Sequence, residues 1–199
     1  GQAQRLHGVR MIFAYHFILS AYGFWLPNDP RGSWSDFVGA WELLRFGGPA
    51  TTLATTDSVA HVEHDHAHRT EMKRHLQYPD VHFTGVQAQA IGTGFAKAAR
   101  EANYAIYACA ILPEHCHLII GRHERHIGRI SGHLKARATQ ELRRRGLWNE
   151  STDYSPWARK YWSVFIDEPD WVENAIDYVR KNPLKEGKPE QTWSFTVPH

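Results

Sequence analysis

Apolar positions along the chain fall into short runs with β-like composition, separated by longer stretches of helical period. Residues 11–21, dominated by Ile, Phe, Tyr and Leu, predict a first strand. A Gly/Pro/Asp-rich loop follows at 23–34, then a weakly patterned stretch to about residue 80. Within that stretch, 54–72 has helical character and a crowd of histidines. Thr84 and Gln87 form a capping-box pattern that opens a helix to about Asn103, despite Gly92 and Gly94 inside it. Two apolar runs, 104–112 and 115–120, meet at Pro113-Glu114. Proline is poorly tolerated within a central strand, so a tight hairpin is expected there. A basic helix over 126–145 is closed by Gly146, and 161–166 reads as a fourth strand. Asp167 is placed to cap a last helix over 169–181, stopped by Asn182-Pro183. The order β-α-β-β-α-β-α predicts an α+β domain, with an antiparallel sheet and helices packed on it.

With 199 residues there is enough chain for one domain with a real core, here 1–199 with an insert at about 23–80. A hydrophobic content of 42% excludes a disordered chain. The run at 11–26 looks like a secretion signal, but it is short for a bilayer, carries His16 and is rich in β-formers. Cys109 and Cys116 lie outside any disulfide or zinc framework and suit a reducing cytoplasm.

The net charge of +2 says little about nucleic acid, whereas its distribution says more. Between Arg122 and Arg145 eight Lys and Arg face only Glu124 and Glu141. Such a stripe is either a phosphate-binding surface or a solvated helix face. Of its members, Arg129, Lys135 and Arg137 are the candidates for contact with a nucleic-acid backbone. Arg31, in the polar-aromatic loop with Trp25, Asn28, Asp29 and Trp34, is a candidate for base recognition.

Chemistry concentrates in two places. His115 and His117 flank Cys116 on a strand, where side chains alternate, so both imidazoles share one face. Two neutral imidazoles on a rigid strand are half of a metal site. The pattern alone is weak in a chain with 14 histidines, since His64-Asp65-His66 and His66-Ala67-His68 repeat it. A zinc site among those lacks the partner pair that would complete it. On the last helix, Asn174, Tyr178 and Asn182 follow one another at i, i+4 and i+8, apart from the stripe Val172, Ala175, Ile176 and Val179. An amide oxygen beside two imidazoles suits Mg²⁺ or Mn²⁺. The plainer alternative is a tyrosine at the core edge and an asparagine at a helix stop.

The segment Leu112-Pro113-Glu114-His115-Cys116-His117-Leu118-Ile119-Ile120 resembles the His-hydrophobic-His (HUH) strand of the single-tyrosine (Y1) transposases, the IS200/IS605-type enzymes. Tyr178-Val179-Arg180-Lys181-Asn182-Pro183-Leu184-Lys185 resembles their catalytic helix end, Y-x-x-x-N-P followed by a basic residue. The stretch from Trp157 to Trp162 and the closing Trp193-Ser194-Phe195 look like the branch associated with repetitive extragenic palindromes. This resemblance covers most of the chain from about His82 onward, plus the first strand. It implies a ferredoxin-like HUH-nuclease sandwich and a metal-dependent single-strand DNA endonuclease and strand transferase acting at or beside hairpins, as monomer or homodimer, in the cytoplasm at the nucleoid. Tyr178 would be the nucleophile, forming a 5′-phosphotyrosine, and His115, His117 and Asn182 would hold Mg²⁺ or Mn²⁺. Competing readings are a catalytically silent hairpin-binding relative and a zinc metallohydrolase built on the histidine-rich insert. Relaxases share the chemistry, but usually place their tyrosine ahead of the histidine motif.

Overall fold

In the computed structural model, which describes residues 11–24, 66–149 and 153–199, the strands close into one four-stranded sheet. The elements are β1 (Ala14–Ser20), α1 (His66–Arg74), α2 (Gly85–Ala102), β2 (Ile106–Ile111), β3 (His115–Gly121), α3 (Ile127–Arg144), β4 (Trp162–Ile166) and α4 (Pro169–Lys185). Strand order is β2-β3-β1-β4 and every pairing is antiparallel. With α2 and α3 as the two crossovers, this is the βαββαβ arrangement of ferredoxin-like sandwiches, extended by α4. Helix α1, inside the long insert, adds an element to the predicted order. The rest of the insert lies outside the described residues, and no described helix is long and apolar enough to cross a membrane.

Strand alternation sorts the sheet into two faces. Tyr15, Phe17 and Leu19 of β1 join Cys116, Leu118 and Ile120 of β3 in the larger core, against Ile91, Phe95 and Ala98 of α2 and Ile130, Leu134 and Ala138 of α3. On the opposite face Ala14, Ala108, Ala110, Ile119 and Ile166 pack under Val172, Ile176 and Val179 of α4. Helix α2 starts as its sequence predicts. Gln87 N–H donates to the Thr84 hydroxyl, and the Gln87 amide oxygen accepts from Thr84 N–H. Its end is Asn103 in the left-handed region, at φ 53°.

Gly92 and Gly94, liabilities in a helix by propensity, are contact points here. A Cβ on Gly94 would stand 2.5 Å from the Ala138 Cα of α3, and one on Gly92 would stand within the Trp193 ring. Close approach of the α3 backbone at Gly94, and of the Trp193 indole at Gly92, outweighs the intrinsic cost of glycine.

The two edges of the sheet are treated differently. At β2 the Gln191 side chain donates to Ile111 C=O and accepts from Ile111 N–H, each at 2.8 Å, while Val197 N–H bonds Ile106 C=O. This covers an edge that would otherwise offer unpaired backbone groups. At β4, Val164 and Phe165 remain exposed beside Trp171 of α4.

Candidate active site

The site assembles where α4 passes the opening residues of β3. His117 pairs with Ile18 and His115 with Ser20 across β1, and both side chains point toward the α4 side of the sheet. Their rings lie 4.8 Å apart, and His115 stacks on Phe24 at 4.7 Å. Cys116 points the other way into the large core, as the alternation requires; burial raises its thiol pKa and leaves it protonated.

Strand β1 contributes a third histidine. His16 pairs with Ile119 of β3, which brings its ring diagonally beside His117. His16 Nε2 and His117 Nδ1 share a hydrogen bond at 3.0 Å. The His16 ring also meets the edge of Trp162 on β4 at 5.5 Å. Burial holds the His16 pKa down to about 4. Burial likewise pushes His117 well below the usual range, helped by the positive charges that His115, His16 and Lys185 would place near it. Both rings are therefore neutral at pH 7, with lone pairs available.

Helix α4 brings Tyr178 over this group. The Tyr178 ring lies 5.9 Å from His117 and 6.0 Å from His16, and its side is 43% exposed to solvent. Two turns further on, Lys185 sets its ammonium 4.3 Å from the centre of the Tyr178 ring. Tyrosine and histidines of one and the same chain thus meet. Asn182, one turn after Tyr178, is buried, and its Nδ2 has no hydrogen-bond partner. Asn174, the other member of the predicted row, is exposed.

Two sequence expectations about α4 need correction. Asn182-Pro183 does not stop the helix, which continues to Lys185. A proline in the last turn removes a single backbone donor, and here Asn182 and Pro183 are both buried by continuing. The chain turns out of the helix at Gly187, whose φ of +66° is the left-handed conformation that favours glycine. Nor does Asp167 cap the start. Glu168 occupies that position, without a side-chain cap bond, and Pro169 opens the first turn.

A divalent metal fits some of these groups. His117 is neutral and ties up only Nδ1, which leaves Nε2 as its second ring nitrogen. The buried amide of Asn182 has a polar atom unsatisfied, which a half-turn of the amide would exchange with its oxygen. Among the described residues, no three His, Cys, Asp or Glu side chains converge as a metal-binding group, so a third ligand would have to be of another type, as an amide is. In the described part of the histidine-rich insert, His75 pairs with Glu71, and His82 pairs with Asp80.

The basic residues expected to meet DNA lie elsewhere. Helix α3 packs on the opposite face of the sheet from Tyr178 and His117. Lys135 donates to the carbonyls of Ala158 and Lys160, each at 2.8 Å, and burial lowers its pKa to about 8. Arg137 is bound to Glu101 and Gln140, both at 2.6 Å. Arg129 lines a shallow depression with Glu124, Arg125 and His126. Arg31 is outside the described residues. The Trp157–Trp162 motif owes its shape to α3: Lys135 holds its carbonyls, and Trp157 Nε1 donates to Thr139 while its ring is buried.

Two site residues went unread in the sequence. His16 was the lone charged-type side chain in an apolar strand, which was its signal. Lys185 stood in the helix-end motif, but its place over Tyr178 depends on the helix running past Pro183.

No family model matches the chain, and no curated protein matches it. Among solved structures, one neighbour is a REP-associated tyrosine transposase bound to a REP hairpin. It is 15% identical, aligned over 94% of this chain and 74% of its own, with a TM-score of 0.47. Another is a candidate transposase from Deinococcus radiodurans, 12% identical over 93% of this chain and 98% of its own, with a TM-score of 0.40.

Proposed function

We propose that this protein is a divalent-metal-dependent nuclease and strand transferase for single-stranded DNA, acting at or beside hairpins with Tyr178 as nucleophile. The observation that carries this reading is the single cluster of Tyr178, His117, His16 and Lys185, with a half-exposed hydroxyl-bearing ring over neutral imidazoles. A divalent ion such as Mg²⁺ or Mn²⁺, held by His115, His117 and Asn182, would draw charge from a non-bridging oxygen of the scissile phosphate.

The Tyr178 oxygen attacks phosphorus, its phenolic proton passing to solvent. The new O–P bond forms as the P–O3′ bond breaks, and the departing 3′ oxygen takes up a proton. The product is a 5′-phosphotyrosine, and a second 3′-hydroxyl reverses the step to join strands without an external energy source. Lys185 supplies a cation beside the ring, where the phosphate must approach. Exposed Trp171 lies on the same helical stripe as Tyr178, seven residues earlier, and offers a stacking surface for a flanking base. On the other face, Arg129 would meet a duplex arm that wraps the domain.

The test is incubation with a pool of single-stranded hairpin DNAs and Mn²⁺, followed by sequencing of DNA covalently attached to the protein. Attachment at Tyr178 supports the reading. Tight hairpin binding without any adduct would instead identify a catalytically silent relative.

A further inference from the structure

We infer that His16 is a positioning residue for His117: it accepts a hydrogen bond from His117 Nδ1–H and so holds that ring in the tautomer whose Nε2 carries a free lone pair. The two residues are 101 positions apart, yet the β1–β3 register sets them diagonally on one face, nitrogen to nitrogen at 3.0 Å. Ring centroids are 5.2 Å apart with planes 33° from parallel, so the contact is directed through the nitrogens and not a face-to-face stack. His16 is itself held on two further sides, by the edge of Trp162 and by Tyr178. It therefore has little freedom to turn away.

A pair of neutral imidazoles sharing one hydrogen has only two arrangements. In one, His16 donates and His117 keeps its hydrogen on Nε2, with no lone pair left to ligate. In the other, His117 donates from Nδ1 and Nε2 is bare. Only the second is useful to a metal or to any electrophile approaching from the Tyr178 side. An outer partner that fixes the tautomer in this way is worth roughly 10–100-fold in metal affinity. The choice of tautomer and the purpose assigned to Nε2 both rest on the proposed nuclease reading, whereas the hydrogen bond between the two rings does not.

The decisive measurement needs neither DNA nor metal. Two-bond ¹H–¹⁵N correlations on the metal-free, ¹⁵N-labelled protein report which His117 nitrogen carries hydrogen. We expect Nδ1 protonated and Nε2 bare. A hydrogen on Nε2 in the wild-type protein overturns the assignment, and this requires no variant to fold. A second arm follows Mn²⁺ binding by electron paramagnetic resonance. His16→Phe keeps a ring but offers no acceptor, and should weaken Mn²⁺ binding about 10–100-fold. His16→Gln restores an acceptor oxygen and should recover most of the loss. Equal Mn²⁺ affinity in wild type and His16→Phe would overturn the role. If no DNA is ever cleaved but His117 is bare at Nε2 as expected, the nuclease reading fails and the positioning role of His16 stands.

Discussion

The two faces of the sheet are built on different terms. On one, two helices close over Phe17, Leu19, Leu118 and Ile120, and the glycine at position 94 lets them approach until backbones touch. On the other, one helix covers small residues, Ala14, Ala108 and Ala110, and its apolar stripe ends before the sheet does. Where the stripe ends, the three histidines begin. A cover one helix thick buries His16 and His117 enough to keep both neutral, yet leaves Tyr178 open to solvent. The large core and the candidate site are thus separated by the thickness of a sheet, and substitutions on the two faces should fail in different ways.

The largest effect is expected on the thin face. Tyr178→Phe removes one oxygen from a half-exposed ring and keeps its contacts with His16 and His117. Covalent adduct formation should disappear while the thermal midpoint and DNA affinity stay near wild type. Adduct that survives in Tyr178→Phe would remove the nucleophile from this face altogether.

On the thick face the damage should be to folding. Gly94→Ala forces a Cβ to within 2.5 Å of the Ala138 Cα, which no side-chain rotation relieves. Overpacking costs about 1–3 kcal/mol in general and occasionally more. With backbone as the obstacle, a loss at or above the upper end is expected in denaturant titration. At temperatures where the variant remains folded, adduct formation should persist. Lys135→Met should destabilise by about 1–3 kcal/mol, because the carbonyls of Ala158 and Lys160 lose their shared donor. If Lys135 instead serves DNA, the variant will unfold normally and bind less well.

The fold was legible in the sequence because its signals are local. The Thr84–Gln87 capping box, the turn at Pro113-Glu114 and the alternation through His115-Cys116-His117 each act within a few residues. The shared face of His115 and His117, and the place of Tyr178 apart from the apolar stripe of its helix, were legible for the same reason. What could not be read depends on distance along the chain. Nothing near His16 announces His117, and nothing near Lys135 announces the carbonyls at 158 and 160. Charge counting treated α3 as one basic stripe, whereas Arg137, Arg144 and Arg145 are each bound to a glutamate. Pro183 misled because proline is scored by the bond it removes, without the burial gained by continuing the helix.

A smaller effect is expected at the rim between the faces. Trp171 is 60% exposed, so Trp171→Ala should leave folding unchanged. If a flanking base stacks there, affinity for a thymidine 12-mer should fall by about 1–3 kcal/mol, while affinity for an abasic 12-mer of equal charge stays constant. Equal losses for both strands would mean that no base rests on the indole.

The finest test asks which face the phosphates follow. Every phosphate contact made by a cation releases counterions, and for single strands each adds roughly 0.7 to the slope of log affinity against log salt. Lys185, over Tyr178, is placed to make such a contact, so Lys185→Gln should flatten the slope by about that amount. Arg137 already has its guanidinium bound to Glu101 and Gln140, and a phosphate would have to displace them. Arg137→Gln should therefore leave the slope unchanged. Both are measured over a salt series in a Tyr178→Phe background, so that cleavage does not intervene, with Arg129→Gln alongside for the flanking arm. A slope that responds to Arg129 and Arg137 but not to Lys185 would route the DNA along α3. The strand would then run over the thick face, with the sheet between it and Tyr178, and that hydroxyl could not be its nucleophile.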